Sequence, residues 1–103
     1  MPVSIQRAGR SAADVIAIPA TDGQVVTGAC VLYGGTLCDG GGAAQRVHLH
    51  NGTSTAGPHV LGMGVAANGQ VNVYYPNGVA CPNGIYVDVQ AGTITGSIFY
   101  SMA

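Results

Sequence analysis

The sequence predicts an all-β domain, an antiparallel β-sandwich, and three observations carry that expectation. Seventeen glycines and almost no Ala/Leu/Glu/Lys periodicity weaken the case for helices. Asn-Gly pairs, which tolerate positive φ and suit tight turns, recur at 51–52, 68–69, 77–78 and 83–84. Between these marks, β-branched and aromatic residues alternate with polar ones at a period of two. At 103 residues, the chain fits one domain with one modest core.

Residues 1–13 are small and polar, include Arg7 and Arg10, and carry no strand pattern. They read as an extended N-terminal arm, with the sandwich domain spanning 14–103. Asp14–Ile18 forms a short strand ended by Pro19. Val25–Tyr33 is apolar on both faces, as a doubly covered strand would be, and is expected to build the core. Gly34-Gly35 and Gly40-Gly41-Gly42 read as flanking a flexible connection.

From Arg46 to His50, Val47 and Leu49 point one way, while Arg46, His48 and His50 point the other. In His59–Val65, Leu61, Met63 and Val65 alternate with Gly62 and Gly64; the glycines suggest a bulge or a close approach by another backbone. Val71, Val73 and Tyr75 share a face. In Ile85–Gln90, Ile85, Val87 and Val89 face in, and Tyr86, Asp88 and Gln90 face out. Ile94, Ile98 and Tyr100 share a face in the last strand. The sum is about seven short strands in a sandwich, jelly-roll connections being one way to join them.

Charge is the unusual feature. The chain has three arginines (Arg7, Arg10, Arg46) and four aspartates, with no Lys and no Glu. Charged residues make up 7%, against about 25% in an average soluble domain. A free monomer normally coats itself with Lys and Glu, so much of this surface is expected to be covered by other protein. A net charge of −1 without clustered Lys or Arg gives no footprint for nucleic acid. No apolar run approaches the ~20 residues that span a membrane. The start, Met1-Pro2-Val3-Ser4, lacks the charged and apolar regions of a signal peptide, which points to synthesis in a cytoplasm. Cys30, Cys38 and Cys81 match neither a disulfide framework nor a zinc pattern and are expected to be buried free thiols.

The sharpest local constellation is His48 and His50, whose spacing puts both imidazoles on one strand face, with His59 able to approach across a hairpin. Three histidines could hold zinc. No carboxylate can be identified from the sequence to orient the rings, and strand alternation explains the pattern alone. No metal and no cofactor are therefore expected. No G-x-S-x-G motif, paired acids or phosphate loop is present, so no catalytic site is expected. Asn51-Gly52-Thr53 matches a glycosylation acceptor but reads as a turn. Of the adjacent Tyr74 and Tyr75 one must face out, and Tyr86 faces out by alternation; exposed tyrosines suit a protein interface.

Two phrases carry a family resemblance. Val47-His48-Leu49-His50-Asn51-Gly52-Thr53-Ser54 runs a strand into an "NGTS" turn. Asn83-Gly84-Ile85-Tyr86-Val87-Asp88-Val89-Gln90-Ala91-Gly92-Thr93-Ile94-Thr95-Gly96-Ser97 has an "NGLYV-V-AGT-TG" ending. Together they resemble small β-sandwich structural proteins of tailed bacteriophages, over residues 45–101 or so. The resemblance implies a virion component made in the host cytoplasm, foremost a capsid decoration (cement) protein. Such proteins sit on the shell between major capsid protein subunits, often as trimers or dimers, and brace it. Arg7, Arg10, Tyr74 and Tyr86 are then the expected contacts. A tail, fibre or baseplate module binding host glycans through a groove of Tyr and Asn is the alternative.

Overall fold

The computed structural model describes residues 13–103; the arm, with Arg7 and Arg10, lies outside the described residues apart from Ala13. The described residues are all-β and form eight strands: β1 (Asp14–Ala17), β2 (Gly23–Val26), β3 (Cys30–Cys38), β4 (Gln45–Asn51), β5 (His59–Val65), β6 (Gln70–Cys81), β7 (Ile85–Ala91) and β8 (Gly96–Met102). They make two antiparallel four-stranded sheets, ordered β1-β8-β3-β6 and β2-β7-β4-β5. Every connection but β4–β5 crosses from one sheet to the other. This strand order is the eight-stranded jelly roll.

The eighth strand arises where one was expected. Val25–Tyr33 is split by Gly28, whose φ of 93° turns the chain out of one sheet and into the other. Both halves are apolar because both line the same core: Val26 enters it from β2, and Cys30 and Leu32 enter it from β3. Apolar character on both faces reflected a change of sheet, not a doubly covered strand.

The glycine positions also differ from expectation. Gly34-Gly35 is inside β3, beside a bulge, and not in a connection. At Gly34, φ is 137° and a side chain would collide with the Val73 carbonyl. Asn77-Gly78 is not a turn between strands. Leu32 pairs with Val79 and Gly34 with Tyr74, so residues 75–78 form a bulge in β6 opposite Tyr33 alone. The Gly40–Gly42 stretch is held rather than loose, because Asp39 gathers its backbone. Asp39 Oδ1 accepts the Gly41 N–H, and Oδ2 accepts those of Gly42, Ala43 and, from the β5–β6 turn, Asn68.

The core lies between the sheets. Leu32, Leu37 and Ile98 from one sheet meet Val47, Leu49, Ile85 and Val87 from the other, all fully buried. Each such side chain contributes roughly 1.5–3 kcal/mol relative to exposure. Ile94 is buried in the crossover ahead of β8 and does not belong to that strand. All three cysteines are free, but only Cys30 and Cys81 are buried; Cys38 is exposed at the end of β3.

Candidate functional site

The two outer faces of the sandwich differ in chemistry. In the β1-β8-β3-β6 sheet, Asp14 at the start of β1 is the one charged residue of the four strands. A single row crosses this sheet: Val15 pairs with Phe99, Phe99 with Gly34, and Gly34 with Tyr74. Val15 is 63% and Tyr74 69% exposed, the largest exposures of big apolar side chains among the described residues. Gly34, buried in the middle of the row, lets the β6 backbone at Val73 and Tyr74 come close. Tyr33 and Val31 extend the face beside Gly78, whose lack of a side chain gives them room. Tyr75 turns the other way, and its hydroxyl donates to the Val60 carbonyl at 3.0 Å.

The β2-β7-β4-β5 sheet carries the polar chemistry on its outer face. Arg46, His48 and His50 come from β4, His59 from β5, and Tyr86 and Asp88 from β7. Register places His50 between Tyr86 and His59, and His48 between Asp88 and Gly62. Gly62 and Gly64 suggested a bulge or a close approach by another backbone. β5 does shift register against β4, between the Leu49–Leu61 and His50–His59 pairs, and Gly62 itself admits the His48 ring, which comes within 3.5 Å of where a Cβ would stand. The His59 ring lies 4.7 Å from that of His48 and 4.3 Å from that of His50, edge to face. His50 is buried, and its Nε2 stands 3.6 Å from Asp88 Oδ2. Asp88 is the neighbouring carboxylate that sequence reasoning missed; its place in the chain gives no sign of it, because only the β4–β7 register brings it there. Burial, with the neighbouring His59 charge, holds the His48 imidazole below the ordinary histidine value. Among the described residues, no group of three His, Cys, Asp or Glu side chains is arranged to hold a metal ion.

The expected contact residues are thus separated. Tyr74 lies on one outer face, and the half-buried Tyr86 lies on the other. The loop end of the sandwich has a shallow groove of about 570 Å³, lined in part by Asn51, Thr53, Ser54 and Asn83. No tyrosine lines it, so it lacks the stacking surface expected of a Tyr/Asn glycan groove. Comparison with protein-family models, with curated proteins and with solved structures finds no match.

Proposed function

We propose that this chain is a structural protein of a bacteriophage virion, a capsid decoration protein that docks on the major capsid protein through the outer face of the β1-β8-β3-β6 sheet. The observation that carries this reading is the row Val15, Phe99, Gly34 and Tyr74, exposed at both ends and half-buried at Phe99, on a sheet nearly free of charge. Aromatic and apolar side chains without charged neighbours are the composition of an interface centre. The whole chain's lack of Lys and Glu points the same way. The jelly roll recurs in both capsid and lectin domains, so the fold does not choose between them. Tyr74, on the nearly uncharged face, is the anchor in this reading; Tyr86, the half-buried strand partner of His50 on the other face, is not. No catalytic step and no cofactor enter it.

The test uses particles assembled without this protein. Added back, it should bind them and raise their resistance to heat and chelators. A Val15→Glu, Tyr74→Lys double variant, changed only at exposed positions, should keep its Tm and lose at least about tenfold in affinity, about 1.4 kcal/mol. Equal stability of particles with and without the protein would refute the role. Undiminished binding by the double variant would refute the face.

A further inference from the structure

All three histidines of the chain gather on the outer face of the β2-β7-β4-β5 sheet, with one carboxylate among them. The proton on His50 can be placed from its partners. A carbonyl oxygen can only accept, so the 2.8 Å contact with the Gly57 carbonyl puts a hydrogen on Nδ1. In the neutral ring, Nε2 is then a bare lone pair. That atom is buried and has no hydrogen-bond partner. The polar atom it faces is Asp88 Oδ2, which already accepts the Gln90 side-chain N–H at 2.6 Å. Two acceptors therefore face each other across 3.6 Å, with room for one proton between them.

One carboxylate can balance one imidazolium, and this face holds three imidazoles. The groups facing the cluster are His48 and Arg46 from β4, His59 from β5, and Asp88 and Tyr86 from β7. β2 adds no titratable side chain, and Asp22 just ahead of it is engaged on the Val89 N–H. A proton on His50 Nε2 can be shared with Asp88. Protons on His48 and His59 find no further acid and meet each other across 4.7 Å between ring centres, and His59 faces the His50 ring at 4.3 Å. The repulsion would act on the ends of one hairpin. His50 closes β4 by holding Gly57, Asn51 N–H holds the Pro58 carbonyl, and His59 opens β5 in the next position.

We propose that this histidine face is an acid-operated clasp: mild acid charges more imidazoles than Asp88 can balance and loosens the β4–β5 hairpin with its loop 52–58. Histidine is the side chain whose ordinary titration falls between pH 5 and 8, so the test spans that window. It does not depend on the docking role, because it is read on the isolated protein.

The experiment is thermal unfolding of the purified chain from pH 7.5 to 5.0, with amide exchange followed at Gly57 and His59. The expected result is a Tm lower by about 5 °C or more at pH 5.0, with loop exchange rising ahead of the core. A His48→Gln, His59→Gln variant changes one half-buried and one exposed residue, and should keep the Tm at pH 7.5 while losing most of the acid-dependent fall. Asp88→Asn should steepen that fall. A Tm independent of pH in this range, or an unchanged fall in the double histidine variant, would overturn the clasp. Abolition of the pH dependence by EDTA would also overturn it, by assigning the cluster to a bound metal.

Discussion

The Asn51 side-chain oxygen accepts the backbone N–H of Asn83 at 3.0 Å, joining two Asn-Gly pairs that are far apart in sequence. Gly52 N–H donates to the Gly84 carbonyl beside it, and Gln24 Nε2 bridges the carbonyls of Gly52 and Asn83. One end of the sandwich is thereby tied across β2, β4 and β7. Asn51→Ala removes one acceptor from an exposed amide and is expected to destabilise by about 0.5–1.5 kcal/mol. Asn51→Asp keeps an acceptor and should lose less. Urea midpoints of the three proteins check this.

Gly34 sits at φ 137° with the Val73 carbonyl where a Cβ would be. Gly34→Ala must move the β6 backbone or leave its own conformation. A loss of roughly 2–4 kcal/mol is expected, read as a lower denaturant midpoint at unchanged slope.

Cys30 and Cys81 are cross-strand partners in β3 and β6 and are both buried. Burial pushes the Cys30 thiol up and the Cys81 thiol up to about 11, which disfavours the reactive thiolate. Cys38 is exposed. An alkylating reagent at pH 7.5 should therefore modify one thiol per chain in the folded protein, at Cys38, and three after unfolding in urea. Mass spectrometry of the labelled peptides distinguishes these outcomes.

Asp39 accepts four backbone N–H groups and the Gln45 amide, and these bonds, the Asn68 N–H first, hold its carboxyl below the usual range. The folded value is thus lower than the unfolded one. The associated stability is present above the unfolded value of about 3.9 and is lost as pH falls through the folded value. Asp39→Asn should lower the Tm at pH 7, and the gap from the parent should narrow by pH 2.5. A pH series of thermal melts measures it.

His48 has the same sign for a different reason. Its folded value lies below the unfolded one because burial, then the His59 charge, disfavours its imidazolium. Its contribution is complete above the unfolded value near 6.5 and declines as pH falls through it toward the folded value. Histidine ring resonances followed by NMR should show His48 titrating below a denatured reference. His59→Gln should raise its midpoint by removing one neighbouring charge.

Period-two alternation was enough to locate β4, β5 and β7 nearly to their ends, because a strand with one buried face writes that face into every second residue. The four Asn-Gly pairs were legible as backbone features, yet their jobs were not. One lies inside β6 as a bulge, and two lie on crossovers between sheets; only Asn51-Gly52 begins a hairpin within one sheet. A dipeptide encodes φ, not which sheet the next strand joins.

The sequence by itself determined the all-β class, the inward positions Val47, Leu49, Ile85 and Val87, the two-residue spacing of His48 and His50, and the shortage of charge. These are local or compositional properties. The tertiary structure decided that Val25–Tyr33 is two strands in two sheets, that Asp88 faces His50, that Tyr74 and Tyr86 look in opposite directions, and that one outer face is nearly free of charge. Each of these depends on the pairing of strands distant in the chain. Partner choice is fixed by how whole faces pack into a common core, and no single segment contains that information.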